Sequence, residues 1–141
     1  MSFRSDLRDY LLARSAITAL VGTRITPNKR DQGDALPAIT YSKVSGRKNH
    51  ALSGSVGECE SEMQFDVWST KELEAEQVVE ALRDALDGYH GLMGSTNVNE
   101  VLWGDDSEFF VDESAVASDE GTFHFVVSVT FYHSESRPTF A

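Results

Sequence analysis

A stretch of strict alternation running straight into a helical stripe constrains this chain more than any other feature. In CESEMQFDVWS (59–69) the odd positions carry Cys59, Ser61, Met63, Phe65 and Val67, and the even positions carry Glu60, Glu62, Gln64 and Asp66. A period of two sends these sets to opposite faces of a sheet, one toward a core and one toward water. In TKELEAEQVVEALRDALDG (70–88), Ala75, Val78, Val79, Leu82 and Leu86 follow at helical spacing, so one stripe faces inward. Ser69 fits as the helix N-cap with Glu72 as its capping-box partner, a cap whose loss costs about 1 kcal/mol. Gly88 stands where a left-handed residue stops a helix. The unit anchors a fold and contains no evident chemistry.

The remaining sequence builds around it. Phe3, Leu7, Tyr10 and Leu11 keep helical spacing, and a second short turn from Ser15 to Leu20 ends at Gly22. Residues 24–26 read as a short extended piece, 28–34 as a polar turn, and Pro37 opens a strand with Ile39, Tyr41 and Lys43 on one face and Thr40, Ser42 and Val44 on the other. SGRKNHALSGSVG (45–57) is expected to be a long polar loop, the arm or tip of an extended hairpin. A Gly-rich connection (89–96) leads to a strand at 97–103, with Val98, Glu100 and Leu102 on one face against Val101 and Trp103. GDDSE is expected to turn the chain before a short or frayed strand, FFVDES. In 121–134 Phe123, Phe125, Val127, Val129 and Phe131 face one way, and His124, Val126, Ser128, Thr130 and Tyr132 the other. A strand apolar on both sides belongs in a sheet centre or under a partner. The last residues, 134–141, are expected to be a flexible tail. The pattern predicts one α+β domain over residues 1–141: a mainly antiparallel sheet packed against two helices, with a long hairpin loop.

A chain of 141 residues buries about 68–70% of its unfolded surface and needs no metal or disulfide to hold a core. Its one cysteine, Cys59, sits on the buried face of a strand, where a lone thiol packs as a small hydrophobe. No segment has the apolar run of a signal peptide or membrane span, so a soluble protein is expected. The net charge of −11 hides a polarity. Residues 1–50 hold nine Lys or Arg and four Asp or Glu, a net of +5, whereas residues 51–141 hold three and nineteen, a net of −16. Such a balance disfavours wrapping nucleic acid. It is compatible with plain solubility, or with copies that meet head to tail, basic patch to acidic patch.

Motifs for chemistry are missing. His124 and His133 are nine positions apart on one strand and point to opposite faces, and neither His50 nor His90 has zinc-ligand spacing. Asp105, Asp106, Glu108, Asp112 and Glu113 cluster without the order of a calcium loop, and read as a hydrated acidic turn. Gly88, Gly91 and Gly94 follow a helix and lead to a strand, the reverse of a phosphate loop. Two groups remain as surfaces. Lys43, Arg47 and Lys48 form a small basic group at the hairpin, either a solvated tip or a contact patch. Glu58, Glu60, Glu62 and Asp66 form a stripe of carboxylates on one strand face. No catalytic, cofactor or metal site is predicted.

The order of elements carries a resemblance. Ala19, Leu20, Val21, Gly22, Arg24, Ile25, Pro27, Gly33, Leu36 and Pro37 form an opening of helix, ALVG, R-I-x-P, then Gly and L-P before a strand. Followed by the strand–helix unit ending at Ala85–Gly88 and the late aromatic strand FHFVVSVTF, it resembles the phage tail-completion family, also called tail terminators or head–tail joining proteins. The resemblance spans nearly the whole chain and rests on order and spacing more than on any single motif. It implies a virion protein of a long-tailed phage or phage-derived particle, made in the host cytoplasm and placed in the tail or neck. It further implies a hexameric ring of this chain on the last tail-tube ring, ending tube growth and meeting the head connector or stopper protein, without enzymatic activity or cofactor. On that basis Lys43, Arg47 and Lys48 are expected to contact a neighbouring subunit or ring. Glu58, Glu60, Glu62 and Asp66 are expected to line a lumen that repels DNA, which passes through without specific binding. A stopper or adaptor of the same neck is the alternative. A small cytosolic enzyme or ligand-binding domain would instead require a convergent polar pocket.

Overall fold

The computed structural model describes residues 3–28, 36–51, 54–111 and 122–134, with the backbone alone at 47–51, 54–58, 105–111 and 122. Three helices, α1 (Phe3–Leu12), α2 (Ser15–Val21) and α3 (Glu72–Leu86), pack on a six-stranded sheet. Its strands are β1 (Ile25–Pro27), β2 (Ala38–Ala51), β3 (Gly54–Ser69), β4 (Gly91–Met93), β5 (Thr96–Val111) and β6 (Thr122–Ser134). Their spatial order is β1-β2-β3-β6-β5-β4, antiparallel throughout except for the parallel β1–β2 pair. The α+β architecture is as expected, with the N-terminal helical stretch split into two helices.

The core follows from the alternation. Met63, Phe65 and Val67 of β3 and Val127, Val129 and Phe131 of β6 are fully buried, and they share one cluster with Leu7, Leu11, Ile17, Val21, Val78, Leu82 and Leu86 of the helices. Burying each such side chain contributes about 1.5–3 kcal/mol. The other set on β3 and β6, from Glu60 and Glu62 to Ser128 and Thr130, stays half-buried and takes no part in that cluster. The helices therefore cover one sheet face, and among the described residues no helix covers the opposite face, called the open face below.

Four local expectations change. β3 remains paired through Ser69, opposite Phe123, so the backbone there is still strand and α3 begins only at Glu72. The Ser69 hydroxyl accepts the Lys71 N–H (3.1 Å) and donates to Glu74 Oε1 (2.8 Å), so Glu74, not Glu72, is its partner. Gly88 does end the helix, with φ of 75°, and its N–H bonds the Val101 carbonyl of β5 at 3.2 Å. Residues 45–51 and 54–57, expected as loop, continue β2 and β3 as a paired hairpin arm. GDDSE does not turn the chain, because β5 runs through it to Val111.

Bulges explain the remaining discrepancies of parity. Val98 faces His133 and Glu100 faces Tyr132, which leaves Asn99 as an extra residue. One added residue flips every later side chain to the other face. Val98 and Val101 therefore both reach the core, while Glu100 and the 46%-exposed Leu102 lie on the open face. A second shift follows Trp103, at Gly104, where a Cβ would stand 2.6 Å from the Ser128 carbonyl oxygen of β6. A third, at Val44, separates Lys43 (opposite Met63) from Ser45 (opposite Glu62).

Candidate functional site

The carboxylate stripe lies on the open face. Glu60, Glu62 and Asp66 are half-buried along β3, and Glu58 pairs in register with Ser134, its side chain outside the described residues. Register then assembles a row across four strands: Arg47 of β2, Glu60 of β3, Tyr132 of β6 and Glu100 of β5. The bulge at Val44 sets this row, so Arg47 meets the acidic stripe within one subunit, whereas Lys43 and Lys48 are in register with the buried Met63 and Cys59. Lys43 is exposed further down the strand, and Lys48 stands opposite Cys59. The side chains of Arg47 and Lys48 lie outside the described residues.

Asp66 is not a solitary charge. Its carboxylate accepts from His124 Nε2 at 3.0 Å and from Gln64 Nε2 at 2.8 Å. Trp68 stacks on the His124 ring at 3.8 Å and 10°, and donates from Nε1 to Thr40 Oγ1 at 3.3 Å. Sequence reasoning put Gln64 and Asp66 on one face of β3 and His124 on one face of β6, gave Trp68 no face, and did not connect them. Their only prior signal was the shared even parity on two strands whose adjacency is non-local.

The strand edges are the second feature. β1 covers β2 only at Ile39–Tyr41, and β4 covers β5 only at Thr96–Val98. Among the described residues, no other strand pairs with the outer edge of either.

Two other places gather polar groups. Arg4, Ser5, Arg8, Thr26, Pro27, Asn28 and Tyr41 line a cleft widely open to solvent. Arg8 Nε donates to the Ile25 carbonyl at 2.9 Å, and Arg4 to Asn28 Oδ1 at 3.4 Å. Burial pushes the Tyr41 phenol above its ordinary pKa, with Arg8 and Arg4 pulling the other way. These groups donate hydrogen bonds, and no nucleophile–base pair converges there. A Ser–His contact, Ser61 Oγ to His133 Nε2 at 2.8 Å, is almost fully buried. His133 Nδ1 donates to the Ser134 carbonyl (2.7 Å), so Nε2 accepts from Ser61, and Phe3 stacks over the ring at 4.0 Å. A pair so enclosed, whose imidazole is held by the Ser134 carbonyl and stacked under Phe3, holds β3 to β6 and α1. Among the described residues, no group of three or more His, Cys, Asp or Glu is placed to hold a metal, and no helix is long and apolar enough to cross a membrane. Asp112 and Glu113 of the predicted acidic turn lie outside the described residues.

What the geometry offers is therefore surface: an open sheet face, two uncovered edges and an uneven charge. A search of curated proteins gave no match. A chain from the virion of a native gene transfer agent particle has the same fold, with a TM-score of 0.75 at 14% identity over 94% of this chain and 95% of that one. Residues 5–134 match the family described as tail completion protein gp17, and the chain belongs to that family.

Proposed function

We propose that this protein is a structural component of a phage-type tail that closes the end of the tail tube. Copies assemble as a ring, hexameric in our reading, on the last tube ring. The ring ends tube growth and presents a surface to the head connector or stopper protein. The observation that carries this is family membership over 5–134, joined to a fold whose conspicuous features are uncovered edges and faces rather than a reacting constellation. The neighbour of like fold is itself part of a virion, in keeping with such a role. The protein would act by shape and association, making and breaking no covalent bond.

The open face supplies the lumen in this reading. Glu60, Glu62 and Asp66, with Glu58 beyond them, would turn toward the passing genome, and fixed negative charge would keep phosphates from adhering. Asp66 is hydrogen-bonded by Gln64 and His124, whereas Glu100 is exposed to solvent on the same face. The basic group Lys43, Arg47 and Lys48 would serve the junction between subunits or rings.

Electron microscopy of particles assembled without this protein tests the reading. Tubes of uncontrolled length, or tails unattached to heads, are expected. Tails of normal length joined to heads would refute it. Co-purification of the protein with the portal instead of with tubes would point to a stopper or adaptor.

A further inference from the structure

The uncovered edges differ in charge and lie at opposite sides of the sheet. The uncovered stretch of β2, residues 42–51, holds Lys43, Arg47 and Lys48 and no carboxylate. The uncovered stretch of β5, residues 99–111, holds Glu100, Asp105, Asp106 and Glu108 and no Lys or Arg. An uncovered edge presents a row of backbone N–H and C=O groups, a template for another strand. We propose that neighbouring copies join edge to edge, the outer edge of β2 in one copy adding to the outer edge of β5 in the next. The inference rests on the ring reading and names the junction that would build it.

Strand direction permits this pairing, and charge selects it over the alternatives. The four long strands, in the order β2-β3-β6-β5, alternate in direction. Two copies related by rotation about an axis along the strands therefore bring β5 of one beside β2 of the next antiparallel, so alternation continues across the junction. Because the two surfaces differ, the contact is heterologous and repeats until a ring closes. The competing self-pairings are disfavoured: β2 against β2 sets three cations against their own kind, and β5 against β5 does the same with four carboxylates. Like charges across a strand pair destabilise it, and opposite charges support it.

The short strands set the stagger. β1 blocks one end of the β2 edge and β4 blocks the opposite end of the β5 edge. Full contact requires neighbouring sheets to slide along the strands, as strand tilt does when a sheet closes into a barrel. The open faces of successive copies then form one surface, with Glu60, Glu62, Asp66 and Glu100 all on the same side.

The test uses the full chain with and without purified tail tubes, read by solution mass and by electron microscopy. One variant carries Lys43→Glu, Arg47→Glu and Lys48→Glu; the other carries Glu100→Lys, Asp106→Lys and Glu108→Lys. Each alone should lose assembled species about tenfold or more, since every junction then opposes like charges. An equimolar mixture should recover assembly, because alternate copies present opposite charges at each junction. Circular dichroism checks that the variants fold. Cysteines placed by Ser45→Cys and Asn99→Cys, bridged by a short bis-maleimide, give a second reading without altered charge and should link copies only to one another. Two results would overturn the edge junction and leave the ring reading standing. One is wild type and both variants assembling alike; the other is the cysteines linking only to tube protein. Wild type that never assembles, even on tubes, would bring down the ring reading and the junction with it.

Discussion

Replacement of Asp6 should loosen the whole N-terminal helix layer. Asp6 lies in the first turn of α1 and is only 2% exposed. One carboxylate oxygen accepts from Thr96 Oγ1 at 2.7 Å and from Ser95 Oγ at 3.1 Å. The carboxylate also lies against Gly94, where φ is 61° and a Cβ would collide with it. The helix is thereby bolted to the β4–β5 turn. Hydrogen bonds to a charged group contribute about 1.5–3 kcal/mol, and a buried hydroxyl left without its partner costs about 1–3 kcal/mol. Thr96 is 6% exposed, whereas Ser95 is exposed and can turn to water. Asp6→Ala should therefore cost about 3 kcal/mol, mostly through Thr96. Asp6→Asn should cost less, since the amide oxygen still accepts one hydroxyl. Urea denaturation measures the loss, and for a domain of this size the melting temperature should fall by about 10 °C. A double-mutant cycle with Thr96→Val isolates the contact, with an expected coupling of about 1–2 kcal/mol. A loss below about 0.5 kcal/mol, the range of ordinary surface changes, would show that this carboxylate is solvated and that the bolt does not exist.

Gly104→Ala forces a methyl toward the Ser128 carbonyl at 2.6 Å, backbone against side chain. It should destabilise by about 1–3 kcal/mol, as overpacking does, and faster amide exchange at the β5–β6 bulge would report it. Alkaline pH should weaken the fold through two phenols. Tyr10 and Tyr41 are both raised from an ordinary value of 10.0, chiefly by burial. Their protonated forms are favoured in the folded protein, so their contribution is complete below pH 10 and is lost as pH rises through the folded values. Chemical denaturation followed from neutral to alkaline pH should show stability falling above about pH 10, less steeply in the Tyr10→Phe, Tyr41→Phe double variant. Equal slopes would remove the phenols from the explanation.

Much of the fold was legible because it is written in local periodicity. The alternation at 59–69 gave both faces of β3, and the stripe from Ala75 to Leu86 gave the buried side of α3. What escaped depends on residues far apart in sequence. Asn99 and Gly104 become bulges only because β6 pairs with both sides of each, and one extra residue reverses the parity that alternation assumes. Residues 45–57 looked like a loop because Ser and Gly dominate them, yet backbone pairing between two adjacent strands needs no apolar face. Ser69 looked like a cap because its sequence neighbours suit one, but β6 holds it in the sheet. The candidate surface was legible as two charged groups. That Arg47 would stand opposite Glu60 depended on the bulge at Val44, which no local pattern announces.

The division of β3 and β6 into an inner and an outer set has a consequence for divergence. Positions such as Gln64, Ser128 and Thr130 can drift without disturbing Phe65 or Val129, because the backbone keeps the two sets apart. Substitutions at the outer set can then change what this protein adheres to while leaving how it folds intact, in keeping with the same fold in a chain only 14% identical.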